Sequence, residues 1–370
     1  MNEKIPHIVI DARIRRSSTG RYIDRLIEHL QKIDSNSKYT ILIQKDDNWE
    51  PSNSNFTTKV ADFKQFSFNP LDQIRFAGML YDLKADIVHF PMNQQPVLYF
   101  GPVVTTTMDL TMLKYTRAGK TPLPIFWLKM IGYRFLFWLS NRKSKAIITI
   151  SKYVKKSLAE KYKFTTNKTT TTYCAAEEMH DNNQTSPSYI DKDEEFILYV
   201  GAAFPHKNLP TLVDALGLIK ENSNLKLILV GKKEYYYHKL DKYISKKDYS
   251  DRVITTDFIP DSELNWLYQN TSAYVFPSLS EGFGLPGLEA MVHGAPVVSS
   301  NSTCLPEIYG DAALYFNPLD AEDMALKIER VLSDKNYRKQ LIAHGHKQVK
   351  KYSWTKTAEQ TLEVYKKVLG

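Results

Sequence analysis

The sequence predicts an α/β protein of two doubly wound domains, each a parallel sheet covered by helices. Three observations carry that expectation. Strand-like and helix-like segments alternate along the whole chain, the pattern of parallel strands joined by helical crossovers. The chain has 370 residues, and at roughly 100–200 residues per domain that length holds two cores. A polar stretch, Met179 to Glu195, contains Asn, Gln, Ser, Pro, Asp and Lys with few apolar residues. It reads as a flexible linker.

The elements follow in order. His7–Asp11 is a short apolar run bounded by polar residues and reads as a buried strand. After a Ser/Thr/Gly loop, apolar residues at Tyr22, Ile23, Leu26, Ile27, Leu30 and Ile33 recur at helical spacing, predicting a helix from Gly20. Strands are expected at Tyr39–Ile43, Ile87–Phe90, Val103–Thr107 and Ala146–Ile150. The second half repeats the theme with strands at Phe196–Val200, Lys226–Val230, Arg252–Ile254, Ala273–Phe276, Pro296–Ser299 and Ala313–Phe316. Between them Leu209–Lys220, Asp261–Gln269, Leu288–His293 and Ala321–Leu332 have helical patterns, and a last helix runs from Ser353 to Val368. The expected division is 1–182, 183–352, and a helix over 353–370 packing back on the first domain.

Composition removes several classes. With 43% hydrophobic and 24% charged residues the chain is neither disordered nor collagenous. Two cysteines, Cys174 and Cys304, make no disulfide framework. The segment Met1-Asn2-Glu3-Lys4 runs straight into a strand without an apolar signal core, so a cytoplasmic location is expected. Net charge is +8, unevenly spread: residues 1–190 hold 27 Lys+Arg against 17 Asp+Glu. From Leu110 to Ala176 there are 14 basic residues and one acid, Glu160. That half calls for an anionic partner.

The segment with the most chemistry is Pro277-Ser278-Leu279-Ser280-Glu281-Gly282-Phe283-Gly284-Leu285-Pro286-Gly287-Leu288-Glu289. It leaves a strand and enters a helix, where ligands of open α/β sheets bind. Gly282, Gly284 and Gly287 allow close backbone approach, and Pro286 suits a first helical turn. Amides at such a turn suit phosphate or hydroxyl oxygens. Glu281 and Glu289 accept hydrogen bonds only, which fits a ligand rich in hydroxyls.

The E-x7-E pair inside this stretch resembles the retaining GT-B glycosyltransferases of family 4 (group 1), especially their bacterial mannosyltransferase-like branch. Further residues carry the resemblance: Tyr199-Val200-Gly201 with Pro205-His206-Lys207-Asn208-Leu209, Leu229-Val230-Gly231-Lys232, and Pro260-Asp261-Ser262-Glu263-Leu264. Ile10-Asp11-Ala12-Arg13, Thr19-Gly20-Arg21-Tyr22 and Tyr352-Ser353-Trp354 extend it more loosely. The resemblance implies the GT-B fold, two Rossmann-like domains facing across a cleft, with the nucleotide sugar in the second domain and the acceptor in the first.

It also implies roles. Lys207, beside Gly201 and His206, would neutralise the donor diphosphate, where charge grows as the nucleotide leaves. Glu281 would hold a donor-sugar hydroxyl and Glu289 the ribose, with amides around Gly282, Phe283, Gly284 and Leu285 fixing sugar and phosphate. Phe258 and Ile259 stand where relatives hold the base, and the Gly20 loop would meet the diphosphate from the first domain. Three positions depart from the family: Ala202 follows Gly201 where an Arg is common, His206 precedes Lys207 where Arg or Glu is common, and Met108 precedes Asp109 where a His is common. Either the acceptor side differs here, or Asp109 and its neighbours take over as the acceptor-side catalytic group.

No cofactor and no metal is expected. Asp191-Lys192-Asp193 has the form of a metal-chelating pair but lies in the polar linker, and no His or Cys cluster has ligand spacing. The expected donor is a GDP-sugar, mannose first, or a UDP-sugar. The acceptor is a saccharide, expected to be lipid-linked, in cell-surface polysaccharide assembly. A same-fold nucleotide-sugar epimerase or an inactive nucleotide-sugar binder is the alternative. Nucleic acid is not expected, since the chain has no recognition helix motif or RNA-binding aromatic signature. Instead Thr121–Leu139, TPLPIFWLKMIGYRFLFWL, is apolar and aromatic and flanked by Arg142, Lys143 and Lys145. Too short and interrupted to span a bilayer, residues 121–145 read as a peripheral contact with an anionic membrane at its cytoplasmic face.

Overall fold

The computed structural model describes residues 4–15, 17, 20–63, 69–116, 119–177, 185–220 and 222–370. The chain runs β1 (His7–Asp11), α1 (Gly20–Ile33), β2 (Lys38–Ile43), β3 (Phe56–Val60), α2 (Pro70–Asp82), β4 (Ile87–Phe90) and β5 (Val103–Thr107). Next come α3 (Thr111–Lys114), α4 (Leu123–Lys143), β6 (Ala146–Thr149), α5 (Lys152–Lys161) and β7 (Thr169–Thr171). The second half has β8 (Phe196–Val200), α6 (Leu209–Leu218), β9 (Lys226–Val230), α7 (Tyr235–Ile244), β10 (Val253–Thr256), α8 (Asp261–Asn270) and β11 (Ala273–Phe276). It closes with α9 (Leu285–Val292), β12 (Val297–Ser300), α10 (Leu305–Tyr309), β13 (Ala313–Phe316), α11 (Ala321–Ser333), α12 (Lys335–Val349) and α13 (Trp354–Leu369).

The chain divides into two compact units. One is Met1–Leu110, Pro122–Cys174 and Ser353–Gly370; the other is Thr111–Thr121 and Ala175–Tyr352. Among the described residues the first holds a seven-stranded sheet, β3-β2-β1-β4-β5-β6-β7, and the second a six-stranded sheet, β10-β9-β8-β11-β12-β13. Every pairing is parallel. Central strands such as β4, β8 and β11 are apolar and almost wholly buried, as a sheet covered on both faces requires.

In the first unit, α1 buries Ile23, Leu26, Ile27 and Leu30 completely. Each contributes about 1.5–3 kcal/mol by leaving water. The final helix, α13, packs against α1, with the rings of Tyr22 and Trp354 6.2 Å apart. Polar contacts pin it: the Thr357 hydroxyl donates to the Tyr173 carbonyl, the Tyr365 hydroxyl lies 2.6 Å from His89 Nδ1, and Thr355 Oγ1 lies 3.0 Å from His29 Nδ1. Asp11 and Arg13 form a buried two-pronged ion pair at 2.7 Å, and the guanidinium also donates to the Phe63 carbonyl. Their place in the motif after β1 is therefore structural.

Three sequence expectations change. The division falls after Cys174 rather than at 182/183, and Thr111–Thr121 sorts with the second unit. The local reason is polar and aromatic contact: Thr111 Oγ1 is 3.0 Å from Ser280 Oγ, and the Gly119 amide donates to the Tyr236 hydroxyl. The expected linker lies partly over 178–184, outside the described residues. From Thr185 onward it is not a free tether, because Ile190 is buried, Glu194 pairs with Lys226, and Glu195 accepts from Ser272 and Asn222. The edge strands β3 and β7 and the helices α2, α5, α7 and α12 have no counterpart among the expected elements.

Candidate active site

A doubly wound sheet opens a crevice where neighbouring strands send their following loops in opposite directions. In the second unit that point lies between β8 and β11. The two loops that leave there are Gly201–Asn208 and Pro277–Gly284, the two segments with the densest chemistry.

The structure joins them through charge. Lys207 Nζ lies 2.5 Å from Glu281 Oε1, and the two side chains keep only 17% and 13% of their surface exposed. The ammonium also sits 5.4 Å from the Phe276 ring centroid. Asn208 fixes the Lys207 end: it takes a left-handed conformation, φ 61°, and its side-chain amide donates to the carbonyls of Pro277 and Pro318. The Leu279 amide donates to the His206 carbonyl at 2.7 Å. Each loop is thus built on the other.

Beyond Glu281 the chain turns into α9. Gly284 has φ +91°, and a Cβ there would meet the Tyr309 hydroxyl at 2.5 Å and Leu305 Cδ2 at 2.6 Å. Only glycine fits. The Tyr309 hydroxyl donates to the Gly284 carbonyl at 2.5 Å. Helix α9 therefore starts at the crevice with Pro286 in its first turn, and its positive end favours anionic oxygen. Glu289 is half-buried one turn further on. Phe283 is buried edge-to-face against Tyr352 at 5.6 Å, so only its main chain can meet a ligand. Gly282 is buried and Leu285 half-buried in the same turn.

The remaining sequence-predicted residues fall elsewhere. Gly201 follows β8, and its carbonyl accepts from the Tyr237 hydroxyl at 2.9 Å. His206 is buried, its ring stacked on Phe204 at 5.9 Å and tilted against Tyr115 at 6.4 Å. Its carbonyl, which accepts from the Leu279 amide, ties it to the crevice. Phe258 and Ile259 follow β10 at the sheet's edge, two strands from β8; Phe258 is 82% exposed and Ile259 is buried. Gly20 and Asp109 belong to the first unit, at the carboxyl ends of β1 and β5. A Cβ on Gly20 would lie 2.6 Å from the Ile14 carbonyl oxygen, which makes glycine obligatory where α1 begins. Sequence reasoning did not reach Thr111, Tyr115, Thr303, Cys304 or Tyr309. Thr303 and Cys304 follow β12 at sequence separations of 22 and 23 from Glu281, and no local pattern marks them.

The basic, apolar segment forms α4, and it has two apolar faces. Phe126, Met130 and Phe137 face the core. Trp127, Leu128, Ile131 and Phe135 recur at helical spacing on the other side and are 50%, 71%, 65% and 51% exposed. Helices apolar all round are normally buried, so this face is an unusual one for a water-facing surface. No helix among the described residues is long and apolar enough to cross a membrane. Two cations of the basic stretch serve the fold instead. Lys168 caps the carbonyls of Asn141, Arg142 and Ser144, and Lys143 holds those of Pro96 and Val97. Burial brings each ammonium down to about 8.

Comparison with known proteins agrees with this geometry. Residues 181–348 match the family model described as "Glycosyl transferases group 1". The chain is 31% identical over 233 residues to O-antigen chain mannosyltransferase B of Escherichia coli, covering 60% of this chain and 61% of that one. It is 30% identical over 210 residues to the O-antigen chain mannosyltransferase RfbU of Salmonella typhimurium, covering 56% and 57%. The chain thus spans about three-fifths of the length of these two curated relatives. Among solved structures it resembles a sucrose-phosphate synthase from Thermosynechococcus elongatus (TM-score 0.75, 18% identity, 99% of each chain). It also resembles WaaG, a glycosyltransferase of lipopolysaccharide biosynthesis (TM-score 0.74, 14% identity, 97% and 99%). At such identities these two speak for the fold alone. With its two parallel sheets, its Lys207–Glu281 crevice and the match over 181–348, the chain has the GT-B fold, and its second half is similar to the glycosyl transferases group 1 family.

Proposed function

We propose that this protein is a retaining glycosyltransferase that moves a hexose, mannose as first choice, from a nucleoside diphosphate sugar to a saccharide acceptor in cell-surface polysaccharide assembly. One observation supports the reading above all: Lys207 and Glu281 meet at the crevice between β8 and β11, at the start of α9. A cation, a hydroxyl-accepting carboxylate and a helix N-terminus in one place are what a sugar diphosphate requires. The two O-antigen mannosyltransferases among the relatives favour mannose, hence GDP-mannose before a UDP-sugar.

In this reading the donor exchanges partners with the ion pair. Its diphosphate takes the Lys207 ammonium, a sugar hydroxyl donates to Glu281, and a ribose hydroxyl donates to Glu289. The main chain at Gly282–Leu285 and Gly201 lies against the phosphates, and Phe258 and Ile259 border the base. The leaving phosphate takes the acceptor proton on the same face of the sugar. Lys207 supplies the positive charge that a metal ion supplies in other sugar transferases, so no metal is needed. Asp109, in the first unit, belongs to acceptor handling.

The exposed apolar face of α4, with Lys129, Arg134 and Arg142 also exposed, supports a peripheral contact of that surface with an anionic phospholipid layer. A lipid-linked saccharide acceptor at the cytoplasmic face is the acceptor that this reading proposes. The test is twofold. Transfer from GDP-mannose and UDP-sugars is measured for wild type, Lys207→Ala and Glu281→Ala, both of which should be inactive. Sedimentation with anionic vesicles should retain the wild type at low salt. Undiminished turnover in either variant removes the site reading, and indifference to vesicles removes the membrane reading.

A further inference from the structure

Backbone strain in the second unit is concentrated around one ion pair. Among the described residues of that unit, two non-glycine residues have positive φ, Asn208 at 61° and Thr303 at 58°. Asn208 is the residue after Lys207, and asparagine tolerates this conformation. Thr303 does not share that excuse: a β-branched side chain at φ +58° is a conformational outlier that surrounding structure has to maintain.

What the strained turn provides is a hold on Glu281. Thr303 Oγ1 accepts the Glu281 amide at 3.1 Å, and the next residue, Cys304, donates its thiol to the Glu281 carbonyl at 3.3 Å. Both main-chain polar groups of Glu281 are therefore tied to one dipeptide. The same segment continues into α10, whose Tyr309 hydroxyl donates to the Gly284 carbonyl, while Leu305 and Tyr309 fill the space a side chain at 284 would need. The connection from β12 to α10 thus grips the 281–284 loop at both ends. Relaxing residue 303 into an ordinary conformation would swing its hydroxyl away and free the Glu281 end.

We infer that Thr303 is a positioning residue for the sugar-binding carboxylate: its strained conformation fixes the backbone of Glu281, so that the carboxylate meets the donor sugar at a set place. This rests on the donor-site reading above and goes further by assigning a determinant of sugar recognition outside the E-x7-E segment.

The experiment compares wild type, Thr303→Gly and Thr303→Ser by calorimetric titration with GDP-mannose, GDP, UDP-glucose and UDP, alongside thermal unfolding. Glycine removes both the hydroxyl and the strain, so Thr303→Gly should unfold no earlier than wild type. It should bind the nucleotide sugar about tenfold more weakly, as expected for a disturbed hydrogen bond to a charged group. Affinity for the bare nucleoside diphosphate should stay unchanged. Thr303→Ser keeps the hydroxyl and should restore sugar-dependent affinity. Wild-type sugar affinity in Thr303→Gly overturns the inference. So does an equal loss for sugar and bare nucleotide with earlier unfolding, which is the signature of a merely structural role. If no nucleotide or nucleotide sugar binds wild type, the donor-site reading itself has failed, a separate outcome.

Discussion

Lys207 and Glu281, 74 residues apart in sequence, are joined Nζ to Oε1 at 2.5 Å across the point where the second sheet reverses its strand order. The family resemblance assigns them to opposite ends of a sugar diphosphate, yet here they satisfy each other. A partly buried charge pair of this kind costs desolvation that its mutual attraction roughly offsets. Its value is that neither charge is left unpaired before the ligand arrives.

The pair's energetics can be read by a double-mutant cycle. Removing either partner strands the other in a shielded place, so Lys207→Met and Glu281→Gln should each cost about 1–3 kcal/mol. The double variant should cost clearly less than their sum. Urea unfolding of the four proteins gives the coupling, and strict additivity would mean that the contact is not energetically formed.

Gly284→Ala should damage fold and site together. The new Cβ meets the Tyr309 hydroxyl and Leu305 at a residue that already has φ +91°. A loss of about 1–3 kcal/mol is expected from the backbone alone. At about 2–4 °C per kcal/mol the thermal midpoint falls by several degrees. A substitution that left the midpoint unchanged would show that the turn can relax.

Stability of the first unit should fall on acidification. His89 is buried between Tyr365 and Thr106, at 2.6 and 2.8 Å, and burial holds its pKa down at about 3 against an ordinary 6.5. Between those values the unfolded chain binds the proton and the folded one does not, so stability rises with pH across this window. It is fully present above about 6.5 and is lost as pH falls toward 3. In His89→Gln that component should vanish, leaving a flatter pH profile of the unfolding midpoint than the wild type has.

The α4 surface makes a prediction that leaves the donor site untouched. Trp127→Ser, Ile131→Ser and Phe135→Ser combined remove exposed apolar side chains without opening the core. The triple variant should keep its unfolding midpoint and nucleotide affinity while losing sedimentation with anionic vesicles. Wild-type binding should itself weaken as salt rises, because the flanking Lys and Arg act through a screened field. If the exposed face instead serves a second copy of the chain, wild type would be dimeric and the triple variant monomeric.

Much of this was legible in sequence because central strands are short apolar runs and their following loops contain the glycines. Eight expected segments, among them His7–Asp11, Gly20–Ile33 and Ala273–Phe276, match the observed bounds residue for residue. The edge strands were illegible for a physical reason: β3 exposes Thr57, Thr58, Lys59 and Val60, and β7 is three threonines, so neither shows a buried strand's apolar run. Helix α12 buries only Leu341, Gly345 and Gln348, too few apolar residues to register as periodic. At the site, Glu281 and Gly284 stood out by residue type and spacing, and Lys207 through the family resemblance of its loop. The bracing of Glu281 by Thr303 and of Ser280 by Thr111 did not, since the second contact crosses 169 residues and neither hydroxyl belongs to a pattern.

Calorimetric titration of wild type and Lys207→Ala with GDP-mannose and with UDP-glucose tests the central claim most directly. Saturable binding of at least one nucleotide sugar to wild type, abolished in a Lys207→Ala variant that unfolds cooperatively, is the expected result. Binding of equal strength in both proteins would contradict the assignment of the β8–β11 crevice as the donor site.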